Sequence, residues 1–114
     1  MTDKARQPQL WNIPEIVNNQ INPWNELLTI DPMTFGIYTL PAGGKDSQTP
    51  HNEDEVYYVI AGKSKMEIGD DIRDIAEGDL IFIPKQVHHR YIEIEEDLTL
   101  LAFIAPAYKS THPD

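Results

Sequence analysis

The chain has 114 residues and a formal net charge of −10, from 19 acidic and 9 basic side chains, with no cysteine. One domain with its own core fits that length. Disulfides and thiolate metal sites are excluded, and the acidic balance argues against nucleic-acid binding, which needs a basic face. The N-terminal stretch MTDKARQPQLWNIPEI lacks the apolar centre of a signal peptide. No run approaches the roughly 18 apolar residues of a membrane span, so a soluble, cytoplasmic protein without a membrane partner is expected.

Residues 1–32 read as an N-terminal arm and docking segment, mostly non-helical. Residues 1–10 are polar and carry no periodicity. Asn12-Ile13-Pro14-Glu15-Ile16 has the signals of a short helix, with Asn12 near the cap and Pro14 in the first turn; Asn18 and Asn19 then weaken it. Trp11 and Trp24 bracket this region and suit an anchor to the body or to a partner subunit. Asp31-Pro32 marks a turn.

From residue 33 the pattern changes to short strands. Met33 to Leu40 alternates, with Phe35, Ile37 and Thr39 on one side and Tyr38 and Leu40 on the other. Pro41 to Gly44 breaks it, and Lys45 to Pro50 is a polar loop. Val56 to Ile60 is strongly β-forming. Ala61-Gly62-Lys63 reads as a turn, with Ser64 to Ile68 returning as the second arm of a hairpin. Gly69-Asp70-Asp71 is a turn signal and Arg73 to Glu77 a link. Leu80 to Ile83 is an unbroken apolar run, expected as a strand buried on both faces and stopped by Pro84. His88 to Ile94 follows as a strand, Glu95-Glu96-Asp97 as an acidic turn and Leu98 to Ala105 as a last strand, with a tail at 107–114. Short strands and frequent turns predict an all-β sandwich or barrel over residues 33–106.

His51 and Glu55 stand four residues apart, so on a strand they share a face. By spacing alone the pair is also what a surface histidine beside acids looks like. His89 is the natural third ligand, on another strand just past a proline turn. Two histidines and a carboxylate make the facial triad of non-haem iron, a set that also suits manganese, nickel or zinc. Glu53 has the parity to face inward, but its spacer reads as a loop, so a place at the rim is favoured over ligation. His88 must point away from His89 on a regular strand, and His112 falls in the tail. Tyr57, Val59, Met66, Phe82 and Tyr91 line a pocket or serve as plain core. Tyr38 and Tyr91 bring hydroxyls that suit a substrate; Lys85, Gln86 and Arg90 suit an acidic substrate at the rim or a solvated turn. No Ser/His/Asp order or nucleotide fingerprint is present.

These stretches resemble the two motifs of the cupin superfamily. In the first motif, Glu55, the six residues from Val56 to Ala61, and Gly62 match the second half, and His51 matches the second histidine. Thr49 stands where the first histidine belongs. In the second motif, Gly78, Pro84 and His89 match, while Gln86 replaces a glycine and Glu93 an asparagine. The resemblance implies a small jelly-roll barrel of two antiparallel sheets over a cavity, pairing as a homodimer. It implies one mononuclear divalent metal on His51, Glu55 and His89, with Thr49, Tyr57, Tyr91 and Glu53 in the pocket around it. The ligand or substrate would be a small molecule. The resemblance is compatible with a dioxygenase-like or isomerase- or lyase-like enzyme, with a non-catalytic sugar- or organic-acid-binding protein whose metal is structural or absent, and with an interaction module.

Overall fold

The computed structural model describes residues 7–47 and 52–107. Asn12 starts the first element: its side-chain oxygen accepts the Glu15 amide at 3.0 Å, capping helix α1 (Ile13–Asn19) with proline in its first turn. Seven residues are too few for a helix to stand alone. Residues flanking it hold it to the body. The Gln20 side-chain amide donates to the carbonyls of Pro23 and Ile37, and the Trp11 ring meets Phe35 edge-on with centroids 5.1 Å apart.

Six strands follow: β1 (Trp24–Ile30), β2 (Met33–Leu40), β3 (Asp54–Ile68), β4 (Asp71–Ala76), β5 (Leu80–Ile83) and β6 (His89–Ala105). All pairings are antiparallel, in the order β1-β2-β6-β3-β4, with β5 also on β3. At 15 and 17 residues, β3 and β6 are far longer than an ordinary strand of about 5–6 residues. They stay paired along their length but bend together, with register shifts between Val59 and Lys65.

Gly62 makes the bend possible. Its φ is +105°, and a Cβ there would lie 2.3 Å from the Asp97 carbonyl oxygen of β6. Before the bend β3 pairs with β5 and with the end of β6, which also holds β2; after it β3 pairs with β4 and with the start of β6. One hydrogen-bonded sheet is thereby folded into two facing layers, an all-β jelly roll. The inner faces meet in one cluster that includes Tyr57, Val59 and Leu100 from one layer and Met66, Ile75 and Tyr91 from the other. Each such buried side chain stabilises by about 1.5–3 kcal/mol.

Several expectations are corrected. Residues 61–63 are not a hairpin turn, because Gly62 redirects the strand without reversing it and Lys63–Ile68 keeps β6 as its partner. Glu95, Glu96 and Asp97 are not a turn between strands but exposed residues of the continuous, bent β6. Arg73 belongs to a strand, β4, whose first four residues are exposed and so show no apolar alternation. The sheet begins at Trp24 rather than residue 33, since β1 pairs with β2. Leu80 and Phe82 are 70% and 60% exposed, so β5 is buried on one face only, at Ile83. Among the described residues no helix is long and apolar enough to cross a membrane.

Gly62→Ala combines a left-handed backbone with a backbone clash. It is expected to destabilise by more than about 2 kcal/mol in chemical denaturation; a change within about 0.5 kcal/mol would show that the bend does not depend on this contact.

Candidate metal centre

Inward alternation runs unbroken through Glu53, Glu55, Tyr57 and Val59, all buried, while Asn52, Asp54 and Tyr58 are exposed. Glu53 is 1% exposed. It is therefore inside the barrel wall, not at a solvated rim, because the period of two extends past the first residue of β3. In the β3–β6 ladder Glu55 sits opposite Ile104 and His89 opposite Ile68, at opposite ends. The bend folds those ends together: His89 Nε2 lies 3.6 Å from Glu55 Oε1, with side chains 1% and 4% exposed.

The histidine is oriented. Its Nδ1 is 3.1 Å from the Val87 carbonyl oxygen, which can only accept, so Nδ1 carries the proton. In the neutral ring the Nε2 lone pair then faces Glu55. Tyr57 completes the group: its hydroxyl donates to Glu55 Oε2 and stands 3.3 Å from His89 Nε2. The Tyr57 ring meets Tyr91 edge-on at 5.6 Å. Burial, then the neighbouring Tyr91 and Glu55, push the Tyr57 hydroxyl well above its ordinary pKa.

The two motif regions are stitched to each other. Asp54 Oδ1 accepts the Lys85 amide at 2.8 Å, and the Gln86 side-chain amide donates to Asn52 Oδ1. Gln86 and Glu93, the two residues that depart from the second motif, have φ of +67° and +47°. Glycine and asparagine are the types that tolerate this left-handed region best. The motif therefore specifies backbone shape at these positions, and the shape is kept here without them.

Asp46 was not singled out by the sequence. It lies in the polar loop, where no periodicity marks a buried carboxylate, yet it is only 5% exposed. It accepts the Tyr38 hydroxyl at 2.7 Å and the Tyr91 amide at 3.0 Å. Burial first, then the bond to Asp46, raise the Tyr38 pKa. The two tyrosine hydroxyls thus differ: Tyr38 is engaged by Asp46, whereas the Tyr91 hydroxyl is buried with no hydrogen-bond partner among the described residues. His88 points outward to Glu67 at 3.2 Å, and Arg90 donates to the same Glu67 at 2.9 Å, so Arg90 is on the outer face and not at the site. Lys85 is exposed at the turn. His51 and Thr49 of the first motif, and His112, lie outside the described residues.

Among the described residues no three His, Asp or Glu side chains gather at metal-binding spacing; Glu55 and His89 approach as a buried pair, whereas His88 and Glu67 meet on the outer face. Two donors held about 2.1 Å from one ion stand about 3.0 Å apart at a right angle and about 3.6 Å apart at 120°. The separation, the aimed Nε2 and the carboxylate all fit a divalent transition metal.

A family model for the cupin domain matches residues 36–104. The chain is a cupin. An uncharacterised protein of Streptomyces coelicolor is 39% identical to it over 74 residues, 65% of this chain and 70% of the relative. The BH2720 protein of Bacillus halodurans superimposes with a TM-score of 0.75 at 20% identity, covering 93% of this cupin and 86% of that chain. A cupin 2 conserved barrel domain protein of Rhodopseudomonas palustris superimposes with a TM-score of 0.64 at 21% identity, covering 74% of this cupin but only 63% of the other chain. Both structural likenesses speak for the fold alone.

Tyr91→Phe removes a buried hydroxyl that has no hydrogen-bond partner among the described residues. The variant is expected to be more stable by about 1 kcal/mol in chemical denaturation; a loss of that size would show that the hydroxyl is satisfied in the folded protein.

Proposed function

We propose that this cupin binds one divalent transition metal (iron, manganese, nickel or zinc) through His51, Glu55 and His89 and uses it as an enzyme on a small molecule, by dioxygenase-like or isomerase- or lyase-like chemistry. The observation that carries the reading is the buried Glu55–His89 pair, 3.6 Å apart with Nε2 aimed at the carboxylate. The metal would supply a Lewis acid or a redox centre. The chain's own residues do the rest. Val87 fixes the imidazole through Nδ1–H, and Tyr57 engages Glu55 Oε2 so that Oε1 is the oxygen turned toward His89. Tyr57 packs in an apolar cluster with Ile83, Leu100 and Ala102, which keeps bulk water from the pair. Three protein ligands would leave coordination positions for substrate and water, as a catalytic site requires.

A second reading has its own support. Glu55 already accepts the Tyr57 hydroxyl, so its carboxylate is stabilised without an ion. The barrel would then hold a sugar or an organic acid without chemistry, with a metal structural or absent.

Elemental analysis of tag-free protein after metal reconstitution separates the two. The first reading expects about one equivalent of a transition metal, lost in His51→Ala and His89→Ala and retained in His112→Ala. Less than about a tenth of an equivalent in the parent protein would exclude it.

A further inference from the structure

We propose that the outer face of the layer formed by β5, β3, β6 and β2 is an interface that pairs this chain with a second copy of itself. The proposal is independent of the metal reading and concerns the surface turned away from the barrel interior.

Two cross-strand rows run over this face. Phe82 lies beside Val56, Val56 beside Phe103 and Phe103 beside Phe35; Leu80 lies beside Tyr58, Tyr58 beside Leu101 and Leu101 beside Ile37. Neither row contains a charged side chain, and the Tyr58 hydroxyl is their one polar group. The outer face of the other layer is built differently. There Lys65 pairs with Asp74 at 3.0 Å and Arg90 with Glu67 at 2.9 Å, and Ile72 is the large apolar side chain exposed beside them. That is the face of a sheet that meets water, whereas a layer apolar on both faces needs a cover on each. Cover of the apolar rows is partial. At the β2 end Trp11 meets Phe35 edge-on and Ile37 is fully buried; across the same row Tyr58 is 40% and Leu80 70% exposed, and Phe82 is 60% exposed. The N-terminal segment therefore docks on its own sheet and leaves the β5 end bare.

A second copy is the occupant that charge and composition favour. Residues 1–6, 48–51 and 108–114 of this sequence supply, apart from two prolines, only Met1, Ala5 and Tyr108 as apolar or aromatic side chains, too few to cover both rows. An anionic lipid surface is repelled by a net charge of −10 and finds no lysine or arginine in either row. A partner recognised through its charge has nothing on the rows to pair with. A second copy brings the same charge-free rows, so no ion is desolvated at the centre of the contact. Four strands about 4.8 Å apart, each about six residues long here, give a footprint of roughly 400 Å² per copy, about half of the roughly 800 Å² of a standard interface. A groove of about 500 Å³ between α1 and the sheet, lined by Ile13, Pro14, Val17, Tyr58, Ile60 and Leu101, continues the apolar surface beyond the rows. A contact of this size and character has a dissociation constant on the order of micromolar.

The test is the oligomeric state of the intact protein by sedimentation velocity, from about 1 to about 100 µM. A monomer–dimer equilibrium is expected. Because each copy carries a net charge of −10, raising sodium chloride from about 50 mM to about 500 mM should tighten the dimer; an interface held by ion pairs would weaken instead. Phe82→Glu and Leu80→Glu change side chains that are already largely exposed in the single chain, so both variants should fold, as circular dichroism checks. Each should weaken the dimer at least about 30-fold. Ile72→Glu, on the outer face of the other layer, should leave it unchanged. A parent protein that stays monomeric throughout, a dimer that loosens as salt is added, or a dimer that survives both substitutions in folded protein overturns the proposal. So does a monomer that binds phosphatidylcholine vesicles and loses that binding in Phe82→Glu, an outcome that gives the face to a lipid surface.

Discussion

The structure depends on a close backbone approach between Gly62 of β3 and Asp97 of β6. The two long strands can bend together only because position 62 has no side chain and accepts a positive φ. Without the bend, the β3–β6 ladder would hold Glu55 and His89 at opposite ends of a long ribbon, as their partners Ile104 and Ile68 show. With it, the ends face each other across the interior. Core and site therefore have one origin: the same fold that brings Met66 and Tyr91 against Tyr57 and Leu100 brings the imidazole to the carboxylate.

The interior holds acidic side chains without a lysine or arginine beside them among the described residues. Asp46, Glu53 and Glu55 are buried, and the described buried residues include His89 but no lysine or arginine. Buried carboxylates are costly unless compensated. Asp46 is compensated by the Tyr38 hydroxyl and the Tyr91 amide, which also binds this loop to the strand. Glu55 receives the Tyr57 hydroxyl and lies 3.6 Å from the buried His89 ring.

Much of this was legible in the sequence where local chemistry decides. Asn12 and Pro14 announced α1, the period of two placed Glu55 and Tyr57 on one face, and parity turned His89 inward and His88 outward. What was not legible is set by distant partners. Gly62 looks the same in a hairpin turn and in a bend, and only the continued pairing of Lys63–Ile68 with β6 distinguishes them. The exposed start of β4 carries no alternation, and the apolar Leu80 and Phe82 give no sign that one face of β5 is bare. Asp46 owes its burial to Tyr38 and Tyr91, residues far away in the chain. Gln86 and Glu93 read as departures from a chemical motif, but both occupy left-handed backbone, so the departures concern conformation rather than ligation.

The central claim is that the folded ladder makes one cation site of Glu55 and His89. Anomalous diffraction from a cobalt-soaked crystal, recorded above and below the metal edge, addresses it directly. The account predicts a single strong peak about 2.1 Å from His89 Nε2 and in bonding contact with a Glu55 carboxylate oxygen. A peak bound elsewhere, with Glu55 and His89 still held as a metal-free pair, would contradict it.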